Sequence, residues 1–310
     1  MPPPSAGVSC LTRVDYAPLI RRLVLCMPLN DEPKSRELKK SEMADYELTQ
    51  AGDRYFDGLV DKFSRSLYQA PRGELRLAML DYLLPQMLQL KEQPVLDIGG
   101  GLGQQAAWFA KCGHAVTMAE PSEDMLNHAK QWHQDDPALP HELITYLQAP
   151  LQTLGQQAAG PWPLITCHAV LEWLGDPQAA LAKLSHLLAP GGQLSLMVFN
   201  RDALRFSNVV KGNLEKALSD RLAGKGKRQR LTPISPVSHA EIEQWSKAND
   251  LQIASVAGIR IFQDYLRKPP TTPLENETLI ALEKQYCRQD PHWRLGRYLL
   301  YTLIKPEADK

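Results

Sequence analysis

The sequence is organised around Pro94-Val-Leu-Asp-Ile-Gly-Gly-Gly-Leu-Gly-Gln104, an apolar run that ends on an acid and breaks into glycines. A helix-like segment, 103–112, follows, and a second apolar run, 115–119, ends on Glu120. This order predicts a strand, a glycine-rich turn, a helix and a second strand with an acid at its tip. Glycines let backbone N–H groups approach a ligand closely, and the acid can accept hydrogen bonds from a ribose diol. The segment is therefore predicted to hold a nucleoside.

The spacing of the glycines narrows the choice of nucleoside. A dinucleotide fingerprint needs G-x-G-x-x-G with a helix N-terminus that faces a pyrophosphate. Here Asp97 precedes Gly99, Gly101 and Gly103, which gives D-x-G-x-G-x-G. This pattern resembles motif I of the class I S-adenosylmethionine (SAM) methyltransferases, whose cofactor carries no phosphate. The spacing disfavours an NAD dehydrogenase.

Composition sets broad limits on the protein class. The chain has 310 residues, 44% of them hydrophobic, and a formal net charge of zero, so a nucleic-acid signal has to be local. Five cysteines without a C-x-x-C pair indicate neither a zinc site nor a disulfide framework. No apolar run approaches the ~20 residues that span a bilayer. We expect a cytoplasmic protein without a metal or a membrane segment.

The chain is expected to divide into an extension and one domain. Residues 1–50 begin with a proline cluster and are densely charged from 31 to 40, which predicts a disordered N-terminal extension. Translation from Met43 is an alternative. Residues 51–310 are predicted to form a single methyltransferase domain with two inserted substrate loops, 200–237 and 264–293.

Strands and helices alternate along that domain, which predicts an α/β fold. We expect strands at 95–98, 115–120, 144–148, 164–167, 193–199, 253–262 and 295–304. They would form a Rossmann-like, seven-stranded, mostly parallel sheet with helices on both faces, closed by an antiparallel pair. Helical spacing at 53–69 and 74–90 predicts an N-terminal helical cap over the cofactor cleft, which should lie at the carboxyl ends of the strands.

Several segments resemble the bacterial tRNA 5-carboxymethoxyuridine methyltransferases. They are Phe63-Ser-Arg-Ser-Leu-Tyr68, Gly73-Glu-Leu-Arg76, His168-Ala-Val-Leu-Glu-Trp173, Gly258-Ile-Arg-Ile-Phe-Gln-Asp-Tyr-Leu266, Tyr286-Cys-Arg-Gln289 and Leu295-Gly-Arg-Tyr298. The resemblance runs from about residue 53 to the C-terminus. It implies a SAM-dependent enzyme that methylates the carboxylate of 5-carboxymethoxyuridine at the tRNA wobble position and forms the methyl ester.

The resemblance also implies which residues bind SAM. Those expected to line the SAM pocket are Arg76, Gly99, Gly100, Glu120, Pro150, Leu151 and His168. Motif I adds Asp97 and Gly101 to this set. Arg76 is a candidate for pairing with the SAM carboxylate, since a guanidinium can do so through two hydrogen bonds. The family often has Asp where this chain has Glu120, and the longer acid can still accept hydrogen bonds from the ribose.

Methyl transfer to a carboxylate oxygen needs no general base, because the acid is already ionised at neutral pH (its pKa is ~4). Alignment of the two reactants then supplies most of the catalysis, up to about 7–11 kcal/mol in favourable cases. A cation has to orient the substrate carboxylate. Our candidates for that role are Arg201, Arg260, Tyr265 and Arg297, each of which could instead serve the protein's own structure.

Two basic segments are predicted to contact phosphates of the tRNA anticodon arm. One contains Lys225, Lys227, Arg228 and Arg230, and the other contains Arg267 and Lys268. Trp173 and Tyr265 are candidates for stacking on a base, or else core aromatics.

Three alternatives stay open at the level of sequence. They are a methyltransferase of a small carboxylic acid, a transferase that uses carboxy-SAM to transfer a carboxymethyl group, and a non-catalytic SAM-fold module. The intact glycine motif and Glu120 argue against the last of these.

Overall fold

The computed structural model describes residues 48–65, 70–158, 160–224 and 232–307. Almost all of the predicted N-terminal extension lies outside these residues, as do Lys225, Lys227, Arg228 and Arg230.

The described elements alternate along the chain as the sequence predicts. The strands are β1 (Val95–Ile98), β2 (Val116–Ala119), β3 (Ile144–Leu147), β4 (Trp162–His168), β5 (Leu188–Phe199), β6 (Gln252–Ile259) and β7 (Tyr298–Ile304). The α-helices are α1 (Val60–Phe63), α2 (Pro71–Met87), α3 (Gln104–Lys111), α4 (Glu123–Asp135), α5 (Leu154–Gln157), α6 (Pro177–Leu187), α7 (Arg201–Val210), α8 (Leu214–Leu218), α9 (His239–Ala248) and α10 (Pro273–Tyr286).

The seven strands form one sheet in the order β3-β2-β1-β4-β5-β7-β6. Strands β1 to β5 pair in parallel, whereas β7 is antiparallel to both of its neighbours. The predicted fold, including the antiparallel pair at one end of the sheet, is confirmed. The order reverses direction beside β1, so the glycine-rich turn lies at the switch point where α/β sheets bind ligands.

The sheet is buried on both faces. Along β1, Val95 packs into one core with α2 and α3, while Leu96 packs into the other core with α6 and α9. All four residues of β1 are buried, as expected of a parallel strand covered on both sides. The carboxyl ends of the strands are therefore the accessible edge on which a site can be built.

Helix capping fixes several of the connections at that edge. The Ser122 hydroxyl accepts a hydrogen bond from the Met125 N–H at the start of α4. Ser238 and Glu241 form the predicted capping box of α9. Both predicted caps are confirmed.

The predicted helix at 53–69 is wrong for most of its described length, because the only α-helical residues that the structure describes there are Val60–Phe63. The preceding residues, 53–59, form no helix or strand and include a turn at 57–58. The Asp53 carboxylate accepts hydrogen bonds from the Gly175 N–H (2.9 Å) and from the Gln152 amide (2.7 Å). These tertiary contacts, together with a left-handed Gly58, override the helical spacing.

The predicted ends of the last two strands also need correction. Strand β6 ends at Ile259, three residues early, because Arg260 adopts a left-handed φ of 61° and the chain turns away from the sheet. Strand β7 begins at Tyr298, since Leu295 belongs to the 3-10 turn His292–Leu295. The turn after β6 becomes part of the site described below.

Candidate active site

The glycine-rich turn between β1 and α3 requires glycine for two reasons. Gly99, Gly101 and Gly103 have φ values of 67°, 56° and 82°, which side chains rarely adopt. A Cβ atom on Gly99 would overlap the Val170 side chain, and one on Gly103 would lie 2.6 Å from the His133 ring. Gly99 and Gly103 are therefore packed too closely to carry a side chain, and Gly99 and Gly101 line a cavity.

Glu120, at the tip of β2, closes this turn. Its carboxylate accepts hydrogen bonds from the backbone N–H groups of Gly101 (2.8 Å) and Ser122 (3.0 Å). Burial raises the pKa of Glu120 from 4.5 to about 7, although these two hydrogen bonds oppose the rise. The carboxylate also lines the cavity, where its remaining lone pairs can accept hydrogen bonds from a ligand.

Asp97 and Gly100 lie behind the cavity wall and do not line it. Asp97 is buried and accepts a hydrogen bond of 2.6 Å from the Thr166 hydroxyl. Its pKa rises to about 6 because of burial, while the Thr166 hydrogen bond opposes the rise. A Cβ atom on Gly100 would meet the Met118 side chain 2.6 Å away. The structure thus gives these two residues a supporting position under the turn.

The other predicted SAM residues converge on the same cavity. Arg76, Gly99, Gly101, Glu120, Pro150, Leu151 and His168 all line it. His168 shares a hydrogen bond of 2.8 Å between its Nε2 and the Ser195 hydroxyl. Burial, with a smaller effect from the Arg76 charge, lowers the pKa of His168 to about 3, so its imidazole is neutral.

The predicted N-terminal cap segment does contribute to the cavity, but sequence reasoning expected a helix there and did not select Arg54 and Tyr55, which line the cavity. The Arg54 N–H donates to the Trp173 carbonyl (2.8 Å), and its guanidinium carbon lies 5.4 Å from the Trp173 ring centroid. The Phe56 ring meets the same indole edge to face at 4.9 Å. Gly52 and Gly58, which flank this segment, were the available signal that a helix would not form there.

Glu172 is a second acid that sequence reasoning did not select. It lines the cavity with only 1% of its surface exposed. Burial raises its pKa to about 8. The lining includes His168 Nδ1, Gln152 Oε1 and Glu172 Oε2, which are buried polar atoms without a hydrogen-bond partner among the described residues. Such atoms are expected where a polar ligand completes the hydrogen bonding.

The lining residues fit SAM. The turn backbone and Glu120 suit a ribose, Arg54 and Arg76 can face a carboxylate, and the apolar side chains suit an adenine. The apolar lining includes Ile98, Met125, Ala149, Pro150 and Leu151. Among the described residues there is no group of three or more His, Cys, Asp or Glu side chains that could hold a metal ion. In the same part of the chain, no helix is long and apolar enough to cross a bilayer.

A second cavity adjoins the first and shares a wall with it, formed by Arg76, Phe199, Pro233 and Tyr298. Its lining contains five cationic side chains and one acid. The cations are Arg72, Arg76, Lys211, Arg260 and Arg297, and the acid is Asp264. The first cavity, called the cofactor cavity from here on, is lined by two arginines and two glutamates.

Two of the predicted substrate-orienting arginines meet in the second cavity. The Asp264 carboxylate pairs with Arg260 (2.6 Å) and Arg297 (3.4 Å), and all three side chains are buried. Burial alone would raise the pKa of Asp264, but the charges of the two arginines hold it below its ordinary value. The carboxylate therefore stays ionised and fixes both guanidinium groups.

The other two candidates are engaged with the protein itself. The Tyr265 hydroxyl donates to the Leu295 carbonyl (2.8 Å). Arg201 contacts the Glu241 carboxylate (3.1 Å) and the Ser238 hydroxyl (3.3 Å) at the start of α9. Neither residue lines either cavity. The exposed Arg267 and Lys268 follow Leu266, which does line the second cavity.

Comparison with known proteins identifies the class. Residues 68–256 match the methyltransferase domain family. The structure resembles a magnesium protoporphyrin IX methyltransferase from Synechocystis PCC 6803 determined with bound SAH, with a TM-score of 0.53 and 17% identity over 81% of this chain and 96% of that chain. The fold and the family match define a class I SAM-dependent methyltransferase.

Sequence relatives narrow this class. A tRNA 5-carboxymethoxyuridine methyltransferase of Escherichia coli (strain K12) is 37% identical over 83% of this chain and 98% of its own length. A ubiquinone biosynthesis O-methyltransferase of Coxiella burnetii is 27% identical over 73% of this chain and 88% of its own. The chain belongs to the tRNA 5-carboxymethoxyuridine methyltransferase family.

Proposed function

We propose that this enzyme uses SAM to methylate the carboxylate of 5-carboxymethoxyuridine at the wobble position of cytoplasmic tRNA, and that the product is the methyl ester. The observation that carries the proposal is the cationic second cavity, which opens beside the cofactor cavity and contains a fixed pair of buried arginines. A nucleotide that bears an extra carboxylate is an anionic ligand suited to such a lining.

The cofactor side of the reaction rests on the first cavity. SAM, when bound, supplies an electrophilic methyl group next to a positive sulfur. Glu120 and the backbone at Gly99 and Gly101 hold the nucleoside, and Arg76 pairs with the carboxylate of the amino-acid part. His168, with its pKa near 3, presents a neutral ring that does not repel the positive sulfur. Pro150 and Leu151 cover the adenine.

The substrate side rests on Arg260 and Arg297. They pair with the substrate carboxylate and aim one of its oxygens across the wall shared by the two cavities. The aromatic rings of Phe199 and Tyr298 in that wall exclude water from the reacting atoms. Positioning and desolvation then suffice for the transfer, because the nucleophile is ionised without the help of a base.

Phosphate contacts are assigned to exposed cations around the second cavity. Arg267 and Lys268 continue from its lining, and Arg72 and Lys211 lie within it. Further basic residues come after Lys211 in the chain: Lys225, Lys227, Arg228 and Arg230. Together they would supply the salt-dependent part of binding to the anticodon arm.

The test is nucleoside mass spectrometry on tRNA from a strain that lacks the protein. We expect the methyl-ester nucleoside to disappear and the free carboxylate to accumulate, with recovery on return of the wild-type gene. Unchanged ester levels contradict the proposal. Accumulation of a nucleoside that lacks the carboxymethyl group would favour the carboxy-SAM alternative, and an altered small-molecule ester with normal tRNA would favour a small-molecule methyltransferase.

A further inference from the structure

The turn after β6 is folded around one buried carboxylate. Glu283, on α10, accepts hydrogen bonds from three successive backbone N–H groups: Ile261 (2.7 Å), Phe262 (2.9 Å) and Gln263 (3.0 Å). Its side chain is completely buried. These three residues connect Arg260 to Asp264, so one acid holds the segment that carries two members of the charged cluster in the second cavity.

The contacts of Glu283 serve the turn and not its own helix. Helix α10 begins at a complete capping box formed by Thr272 and Glu275. Near its other end, the Cys287 carbonyl accepts a hydrogen bond of 2.7 Å from the Gly258 N–H of β6. The helix is thus capped at its start and tied to β6 near its end without the Glu283 carboxylate.

The turn needs an external anchor because its backbone is strained. Arg260 has a left-handed φ of 61° without being glycine. Such a conformation persists only where the surroundings over-determine it. Both oxygens of the Glu283 carboxyl accept hydrogen bonds from the turn. Burial raises the pKa of Glu283, and the three backbone hydrogen bonds oppose that rise.

We propose that Glu283 is a positioning residue for the substrate: by holding residues 261–263, it fixes the direction in which Arg260 and Asp264 project into the second cavity. The inference rests on the proposed function, since it assumes that this cavity receives the anionic nucleotide. Glu283 itself touches neither cavity.

The test compares Glu283→Gln with Glu277→Gln, an exposed acid on the same helix. Glutamine has nearly the size of glutamate but offers one acceptor oxygen, so at least one N–H of the turn loses its partner. We expect KM for tRNA that carries 5-carboxymethoxyuridine to rise about tenfold, while the Kd for SAM changes less than about twofold. Glu277→Gln should behave as wild type in both measurements.

A double substitution separates positioning from general support. If Glu283 acts through Arg260, adding Glu283→Gln to Arg260→Ala should change kcat/KM for tRNA by less than about twofold. Full additivity of the two losses overturns the inference, as does an equal loss of SAM and tRNA binding in Glu283→Gln. If that variant does not fold, Glu283→Asp, which withdraws the charge by one methylene, replaces it under the same criteria.

The wild-type enzyme distinguishes the two levels of the argument. Wild-type turnover on the modified tRNA with unaltered Glu283→Gln kinetics overturns the role of Glu283 alone. Absence of wild-type turnover, with SAM still bound, overturns the proposed function and the positioning role together.

Discussion

The cofactor cavity and the second cavity share a wall but are built in different ways. The first lies on the ends of β1, β2 and β4, where a glycine-rich turn is held by Glu120. The second is formed mainly by α2, α7 and the segments that follow β6, and its charged cluster is held by Asp264. Regular strands thus set one site, and irregular connections on the same scaffold set the other.

The second cavity is more cationic than the cofactor cavity, and this difference matches the charges of the two reactants. The cofactor cavity has two arginines against two glutamates, whereas the second has five cations against one acid. The lining of the cofactor cavity carries fewer cations, which suits a cofactor with a positive sulfonium, although its acids are only partly ionised because burial raises the pKa of Glu120 to about 7 and that of Glu172 to about 8. An anionic nucleotide suits the cationic lining. The shared wall is then the place where the two reactants face each other.

The largest effect is expected in the turn of the cofactor cavity. Gly99→Ala puts a Cβ into the Val170 side chain at a left-handed φ, so SAM affinity should fall at least about 100-fold. Titration calorimetry measures it. Gly113→Ala is the matched control, because its φ is also left-handed, at 87°, but the new Cβ meets no atom within 4 Å. Equal SAM affinity in the two variants would refute this account of the turn.

A smaller and more selective effect is expected in the second cavity. Arg297→Ala removes one arginine of the charged cluster, so kcat/KM for the modified tRNA should fall about 10- to 100-fold while the Kd for SAM stays unchanged. Arg294→Ala is the control, since Arg294 is half exposed and pairs with the exposed Asp290. A loss of SAM affinity in Arg297→Ala would mean that the two cavities are not separate in function.

The pH dependence of SAM binding tests the acid of the cofactor cavity. Because burial raises the pKa of Glu120 to about 7, the folded protein keeps a proton that the unfolded chain releases near pH 4.5. The contribution of Glu120 to the free energy of unfolding is therefore lost as the pH rises from about 4.5 to about 7. A bound ribose diol favours the ionised form, so SAM affinity should increase up to about tenfold between roughly pH 6 and 8.

Titration calorimetry at pH values from about 6 to 8 measures this increase in SAM affinity directly. In Glu120→Gln the step centred near pH 7 should be absent, and any remaining change near pH 8 belongs to Glu172, whose pKa burial raises to about 8. A wild-type affinity that is flat from about pH 6 to 8 would show that the diol does not engage an ionised Glu120.

The smallest effect concerns the rim of the second cavity. Lys268→Ala should weaken tRNA binding only severalfold. The plot of log K against log salt should become less steep by about 1, since one phosphate contact is lost. Lys91→Ala, an exposed lysine before β1 and therefore at the opposite edge of the sheet, should leave the slope unchanged. An unchanged slope in Lys268→Ala would remove this residue from the tRNA interface.

The parts that sequence predicted well are those set by local pattern. The strand period, the glycine turn and the caps at Ser122 and Ser238 depend on neighbouring residues, and the structure contains all of them. They give the sequence of elements along the chain and place the glycine-rich turn at the cofactor cavity. Most of the predicted SAM residues meet there for the same reason.

The parts that sequence could not give depend on contacts between distant segments. Arg54 is held at the cofactor cavity by its own contacts with Trp173 and by the hydrogen bonds of Asp53 to Gln152 and Gly175, all of them distant in sequence. Glu283 lies on a helix whose other glutamates, Glu275 and Glu277, are exposed, and it differs from them in what it contacts after folding. Arg201 was predicted to orient the substrate, but it pairs with Glu241, the acid of the predicted capping box. In this case a local pattern contained the residue that engages the arginine.

The central claim is that the methyl group passes from the cofactor cavity to a carboxylate held in the second cavity. The most direct test is incubation of the purified enzyme with methyl-labelled SAM and tRNA that carries 5-carboxymethoxyuridine. The account predicts label on the wobble nucleoside that mild base releases as methanol, because an ester hydrolyses, and no transfer to tRNA that lacks the carboxymethoxy group. Label that survives mild base, on the base or the ribose, would contradict the account.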